Sequence, residues 1–217
     1  DQLTPSDYQT LITQSGYGTA AIKSVDKPST TDRDAATGLV NYGVDASGNF
    51  YFKGNITHCG VIVLAQTYND DLAYHYGENI GDESYYLHID GWYAPAVNMH
   101  RTAFSGRNSE YYSEDPFVSG HIASLECKGV ASRGMYVFVK HFAVNDQENH
   151  RGDREGQFSI ATFLNEQAAR HEKGVGVVHK DSRRILGARQ HTVHQHTGHA
   201  VLLQPLVVLS GGLGCCH

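Results

Sequence analysis

Apolar residues recur with helical spacing between residues 69 and 80. Asn69 is a favourable N-cap residue, and Leu72, Tyr76 and Ile80 follow at intervals of four along one helical face. Directly before this segment, residues 61–64 form a short apolar run after a glycine. Such a run is typical of a strand that is buried on both faces. The pattern therefore predicts a buried strand followed by an amphipathic helix.

The same order of elements recurs between residues 89 and 139. A short apolar stretch around Trp92 predicts a strand, and Asp115-Pro116 then provides a helix start with proline at the first helical position. Gly134 is placed to end this helix, whose apolar face is predicted to contain Val118, Ile122 and Leu125. The stretch MYVFVKHF, from residue 135, predicts the next strand. Alternating strands and helices of this kind predict parallel βα units, and so the α/β fold class.

Polar side chains follow the predicted strands at their carboxyl ends. Asp34 follows a short strand, the loop of residues 98–110 follows the strand at Trp92, and Lys140 and His141 follow the strand at residues 135–139. Because the carboxyl ends of parallel strands meet at one edge, where ligands bind in α/β folds, we expect these residues to converge. Successive strand residues point to opposite sides, so an irregular turn is needed for Lys140 and His141 to face one site together.

Several of these residues also have a purely structural interpretation. Asp115 is explained by helix capping, Arg107 by an ion pair with Glu110 or Glu114, and Lys140 by exposure at a strand end. The functional interpretation is that Arg107 uses its planar fork of donors to hold sugar hydroxyls or a carboxylate. The residues alone leave both interpretations open.

Composition excludes some classes of protein. The 217 residues are 40% hydrophobic and 18% charged, which is ordinary for a globular protein, and a net charge of −6 argues against a general nucleic-acid binder. No stretch has the length and apolarity of a membrane span, and no signal peptide is visible, which favours a cytoplasmic location. Because the chain begins with Asp1 rather than methionine, export of a longer precursor stays open. The four cysteines do not suggest a disulfide framework.

The last 47 residues differ in composition from the rest. Residues 1–170 contain 12 Lys or Arg against 21 Asp or Glu, whereas residues 171–217 contain 5 against 2 and hold seven of the fourteen histidines. A metal site is one interpretation of this tail, because imidazoles and thiolates are zinc ligands. The candidate ligands, whose spacing matches no established pattern, are His191, His194, His196, His199, Cys215, Cys216 and His217.

The two stretches DGWYAPAVNMHRTAFSGRNSEYYSEDPFVSGHIAS and GMYVFVKHFAVNDQENHR, taken in order, resemble the N-terminal barrel domain of glycoside hydrolase family 3. The resemblance runs from about residue 60 to residue 170, and more loosely back to residue 26. It implies a (β/α)8 TIM-type barrel followed by an α/β sandwich domain, retaining hydrolysis of β-linked sugars and no cofactor. The commonest activity in the family is that of a β-glucosidase.

The resemblance also implies which residues bind the substrate, a β-linked oligosaccharide or glycoside. The family holds the hydroxyls of the sugar with side chains that match Asp34, Arg107, Lys140, His141 and Arg151 here. Glu110 and the two tyrosines that follow it are expected to brace the arginine. One departure lies beside Asp34, where DAATGLV replaces the family's D-G-P-A-G-L and Val40 stands in place of a frequent arginine.

A second departure concerns the catalytic carboxylates. The family's nucleophilic Asp and acid/base Glu lie on later elements, nothing in residues 171–217 resembles them, and Asp181 has no matching context. We therefore interpret residues 1–170 as the N-terminal portion of an incomplete barrel, predicted to be inactive alone. Residues 171–217 are interpreted as an aberrant tail, translated out of frame from near Arg170. A non-catalytic sugar-binding remnant and a His-rich metal-binding protein are the alternatives.

Overall fold

A computed structural model describes residues 2–141, 145–148, 161–167 and 200–203 of the chain. Two short 3-10 turns, Lys23–Val25 and Asn108–Glu110, accompany the regular elements. In chain order these elements are α1 (Pro5–Thr13), β1 (Gly18–Thr19), β2 (Thr30–Asp34), β3 (Tyr42–Val44), β4 (Phe50–Phe52), α2 (Val61–Gln66), α3 (Asp70–Leu87), β5 (Gly91–Tyr93), α4 (Pro116–Ser132), β6 (Tyr136–Val137), β7 (Ala161–Leu164) and β8 (Ala200–Leu203).

The central sheet has the strand order β1-β2-β5-β6. Strand β1 is antiparallel to β2, whereas β2, β5 and β6 are parallel, with Asp34 opposite Tyr93 and Gly91 opposite Tyr136. Helices α2 and α3 connect β2 to β5, and α4 connects β5 to β6. The α/β class and the parallel βα units are therefore confirmed. Strands β3 and β4 form a separate hairpin, and β7 pairs with β8.

The predicted strand at residues 61–64 is wrong, because these residues form the first turn of helix α2. Val61, Leu64 and Ala65 are buried, while Val63 is 55% exposed. Burial at the first, fourth and fifth positions is the periodicity of a helix, and a run of four apolar residues is too short to distinguish it from a strand. The βα unit thus has two consecutive helices between β2 and β5.

The two long helices begin at the predicted caps. The Asn69 side chain accepts a hydrogen bond from the Leu72 amide at 3.0 Å, and Asp115 accepts from the Phe117 amide at 2.7 Å. Tyr76, Ile80 and Ile122 are buried as predicted. Leu72 is 45% exposed instead, because the buried face of α3 begins with Ala73. Helix α4 ends at Ser132, and Gly134 follows it with a φ of +88°.

An apolar core joins α2, α3 and α4 to the sheet, and it includes Trp92 on β5, which is fully buried. The Trp92 indole N–H donates to the carbonyl oxygens of Ala35 and Gly38 at 2.7 and 2.9 Å. These bonds fix the loop that follows β2, and so the backbone directly after Asp34. Within the described part of the chain, no helix is long and apolar enough to cross a membrane.

Helices α3 and α4 approach each other closely at paired glycines. A Cβ atom added at Gly77 would lie 2.0 Å from the Glu126 carbonyl oxygen, and one at Gly129 would lie 2.1 Å from that of Tyr74. Both obstacles are backbone atoms, so a larger residue at either position forces the helices apart.

We therefore expect Gly77→Ala to lower the free energy of unfolding by about 2 kcal/mol, because overpacking outweighs the better helix propensity of alanine. Urea denaturation monitored by circular dichroism measures this change. The matched control is Gly60→Ala, since an added Cβ at Gly60 meets no atom within 4 Å. Equal stability of the two variants would contradict the prediction.

Candidate functional site

The sequence-predicted polar residues converge at the carboxyl edge of the parallel strands. Asp34 is the last residue of β2, Arg107 lies in the loop after β5, and Lys140 and His141 follow β6. The Lys140 backbone continues the sheet, since its N–H donates to the Pro95 carbonyl at 2.9 Å and its carbonyl accepts from the Val97 amide at 2.7 Å. Three neighbouring strands therefore bring these four side chains to one place.

Lys140 joins two carboxylates of the site. Its Nζ lies 2.6 Å from Asp34 Oδ1 and 3.4 Å from Glu110 Oε2, and the side chain is 16% exposed. The interpretation of Lys140 as a solvated strand end is therefore wrong. The peptide bond between Lys140 and His141 is cis, and both side chains reach the cluster, as the irregular turn considered for them requires.

Arg107 is the centre of the cluster. Its Nε donates to Glu110 Oε1 at 2.5 Å, its Nη1 donates to Glu148 Oε1 at 2.7 Å, and its Nη2 lies 3.0 Å from His141 Nε2. Burial alone would lower the pKa of Arg107, but the hydrogen bond and charge of Glu110 and the charge of Glu148 outweigh it, so the pKa rises. The proposed ion pair with Glu110 is present, which is compatible with either interpretation of Arg107.

The contacts of His141 determine its tautomer. A guanidinium can only donate, so Nε2 of His141 is the acceptor for Arg107 Nη2 and the ring proton resides on Nδ1. That N–H donates to Asn98 Oδ1 at 3.0 Å, and the same oxygen accepts the His141 backbone N–H at 2.8 Å. Asn98 is buried and binds both the ring and the backbone of His141. The site therefore contains an imidazole that is held in one orientation beside two cations.

Tyr111 and Tyr112, the tyrosines that follow Arg107, have different roles from the one expected. Tyr111 packs edge-on against the His141 ring, with centroids 6.1 Å apart, and its hydroxyl donates to the Asn145 carbonyl. Tyr112 lies away from the cluster, and its hydroxyl donates to the carboxyl of Glu126. Bracing of Arg107 thus falls to Glu110 and Glu148, while Tyr111 supports His141. Burial raises the pKa of Tyr111, which stays a neutral hydroxyl.

The cluster offers chemistry suited to a polyhydroxylated ligand. It combines the carboxylates of Asp34, Glu110 and Glu148 with a guanidinium and an ammonium, so charged donors and acceptors alternate within the cluster. Neighbouring sugar hydroxyls can each donate to a carboxylate and accept from a cation, and such charge-assisted bonds are the strong ones. Arg151, the fifth predicted residue, lies outside the described residues.

Metal binding has no candidate in the part of the chain that the structure describes. No group of three or more His, Cys, Asp or Glu side chains is arranged there to hold an ion. The histidines and cysteines considered for zinc, from His191 onwards, lie outside that part. The zinc interpretation of the tail therefore stays a hypothesis from the sequence.

A comparison with protein families matches residues 23–181 to the model described as the N-terminal domain of glycosyl hydrolase family 3. The chain belongs to this family. Beta-glucosidase A of Butyrivibrio fibrisolvens is 40% identical over 97 residues, which are 45% of the chain and 12% of the relative. Beta-glucosidase BoGH3A of Bacteroides ovatus is 41% identical over 96 residues, which are 44% of the chain and 13% of the relative. The chain thus corresponds to only a small part of these family 3 relatives.

Solved structures of family 3 enzymes are also similar. Beta-glucosidase 3B from Thermotoga neapolitana in complex with α-D-glucose aligns with a TM-score of 0.54 and 38% identity, over 60% of this chain and 18% of that one. DesR, a beta-glucosidase from Streptomyces venezuelae in complex with D-glucose, aligns with a TM-score of 0.63 and 27% identity, over 76% and 19% of the two chains.

Sequence reasoning missed two residues of this family 3 cluster. Asn98 lies within the loop that was expected to contribute, but no pattern distinguished it from its neighbours. Glu148 lies in a polar loop eight positions after Lys140, where the sequence pattern predicts no contact with Arg107.

Proposed function

We propose that this chain is the sugar-holding part of a retaining β-glycosidase, most simply a β-glucosidase. Asp34, Arg107, Lys140 and His141 would grip the hydroxyls of the terminal sugar, with Arg151 as a further ligand. The observation that carries the proposal is the linked network in which Lys140 contacts Asp34 and Arg107 contacts His141, assembled from three neighbouring strands. The glucose complexes of the similar enzymes support the choice of sugar.

The reaction requires two further carboxylates. Retaining hydrolysis uses one carboxylate as the nucleophile and a second as general acid and base, about 5 Å apart. We assign neither role to a residue of this chain. The cluster would contribute binding, since hydrogen bonds that fix the sugar ring strengthen as positive charge develops at its reacting carbon. The 217-residue chain alone is therefore proposed to bind sugar without hydrolysing it.

The proposal includes the architecture. Residues 1–170 would form the N-terminal portion of a (β/α)8 barrel, and residues 171–217 would be translated out of frame. Sequencing the coding DNA across codons 160–217 and translating all three frames tests this. If a different reading frame encodes a continuation of the barrel with an Asp-bearing strand, the proposal is supported. If sequencing confirms the reading frame that encodes the present residues 171–217, the sugar-binding remnant is favoured instead.

Calorimetric titration of the folded chain tests sugar binding directly. We expect saturable heat with D-glucose at millimolar concentration, no heat with L-glucose, and no release of nitrophenol from p-nitrophenyl β-D-glucoside. The enantiomer is the matched control because it has the same solvation and a different arrangement of hydroxyls. Equal heats from the two enantiomers, or none from either, would overturn the sugar site, whereas nitrophenol release would overturn the assigned lack of activity.

A further inference from the structure

Glu148 supplies the second carboxylate that pairs with the Arg107 guanidinium. Its Oε1 accepts from Arg107 Nη1 at 2.7 Å, and the Glu148 side chain is 33% exposed, so it lies at the border between the cluster and solvent. The residue comes from the loop after β6, whereas Arg107 comes from the loop after β5. The ion pair therefore joins two loops that belong to different βα units.

The backbone of residues 145–148 is tied to the Arg107 loop independently of that ion pair. The Glu148 amide donates to the Ser105 carbonyl at 2.9 Å, and Gln147 forms an isolated antiparallel bridge with Gly106. Asp146 is almost fully buried and accepts two hydrogen bonds from Arg101, at 2.8 and 2.5 Å. This backbone pairing and a two-pronged salt bridge thus fix the place from which Glu148 acts.

Gly106 permits this close approach. It has a φ of +83°, and an added Cβ would lie 3.3 Å from the Glu148 Cβ. A side chain at position 106 would therefore meet both a strained backbone conformation and the neighbouring loop. Because Gly106 directly precedes Arg107, the same contact determines the backbone position from which the Arg107 side chain extends.

Two carboxylates fix the plane of a guanidinium more strictly than one does. Glu110 engages the Nε edge of Arg107 and Glu148 engages Nη1, so rotation about the last side-chain bonds breaks one of the two bonds. Arginine has five N–H donors. Among the described contacts three are engaged, which leaves one donor on each terminal nitrogen at a fixed direction. These are the donors that a ligand in the cluster can use.

We infer that Glu148 is a positioning residue, which orients Arg107 for the sugar through the tied loop of residues 145–148. This role rests on the proposed function, since it specifies how the same cluster binds its ligand. Glu148 acts through Arg107, and the ordering of the guanidinium before binding is the source of the affinity.

The test compares D-glucose affinity of the chain with that of Glu148→Gln and Glu148→Ala, measured by calorimetry. Glutamine keeps an acceptor but loses the charge, so we expect an affinity about fivefold lower, and about tenfold lower for alanine, which loses the bond as well. The melting temperature should change little because the side chain is part exposed. Glu114→Gln is the control, since Glu114 is an exposed carboxylate of the same sequence region and lies outside the cluster.

A second readout separates positioning from general stability. In the background of Arg107→Lys, which lacks the fork that Glu148 orients, Glu148→Gln should cost little further affinity, whereas a merely structural effect would persist. Unchanged or tighter glucose binding by Glu148→Gln would overturn the inference, the latter by showing that Glu148 competes with the sugar. A wild-type chain that binds no glucose would instead overturn the proposed function itself.

Discussion

Replacing Arg107 by alanine is expected to weaken D-glucose binding by about 100-fold, or roughly 2.7 kcal/mol, the equivalent of two charge-assisted hydrogen bonds. The side chain is 13% exposed and anchors the cluster through Glu110, Glu148 and His141. Its removal also takes the guanidinium away from Glu110 and Glu148, of which Glu110 keeps its contact with Lys140. Calorimetric titration with D-glucose measures the loss, and a circular dichroism melt verifies that the variant is folded.

Arg133 provides a matched control for this substitution. It pairs with Glu78 and Asp82 at 3.1 and 3.2 Å, much as Arg107 pairs with two carboxylates, but it lies after the carboxyl end of α4, at the opposite edge of the sheet. Arg133→Ala should keep the wild-type affinity and lose at most about 1 kcal/mol of stability, because the pair is exposed. If a folded Arg107→Ala variant bound glucose with the same affinity as Arg133→Ala, Arg107 would not be part of the glucose site.

The position of the site could be predicted because it depends on topology more than on individual contacts. Parallel strands place their carboxyl ends at one edge whatever residues they contain, so strand assignments at Asp34, Trp92 and Lys140 were sufficient to bring the cluster together. The helix starts at Asn69 and Asp115 were equally accessible, since each cap depends on an amide only two or three residues away.

Features that depend on contacts between distant segments could not be predicted. The run at residues 61–64 has no periodicity long enough to separate a helix from a strand, and packing of Val61 and Leu64 into the core decides it. Glu148 meets Arg107 across 41 positions, and Tyr112 meets Glu126 across 14. Glutamate inside an amphipathic helix is normally assigned to the exposed face, so the sequence does not predict the burial of Glu126.

Glu126 is the most unusual carboxyl of the described core. It is fully buried on α4, its Oε2 accepts a hydrogen bond from the Tyr112 hydroxyl, and its Oε1 has no partner among the described residues. Burial raises the pKa of Glu126 to about 8, and the bond from Tyr112 opposes the rise only in part. The folded chain therefore keeps this side chain protonated at a pH where the unfolded chain ionises it.

The sign of the pH dependence follows from proton binding. Between the unfolded pKa of 4.5 and the folded value of about 8, the folded state binds the extra proton, so stability falls as pH rises through this range and levels off above it. From pH 5 to pH 8 the loss amounts to roughly 3 kcal/mol, at about 1.4 kcal/mol per unit of pKa shift. Burial also raises the pKa of the neighbouring Tyr76 and Cys127, so neither ionises in this range.

Glu126→Gln should therefore be about as stable as the wild type at pH 5 and more stable by roughly 3 kcal/mol at pH 8. Glutamine still accepts from Tyr112 and has the shape of the protonated acid, so packing stays constant while the titration disappears. Urea denaturation of both proteins at several pH values, followed through the fluorescence of Trp92, the single tryptophan, measures the difference. Other groups contribute equally to both curves and cancel in the difference. Parallel curves from pH 5 to pH 8 would mean that Glu126 ionises within the folded core, and that water or a cation reaches it there.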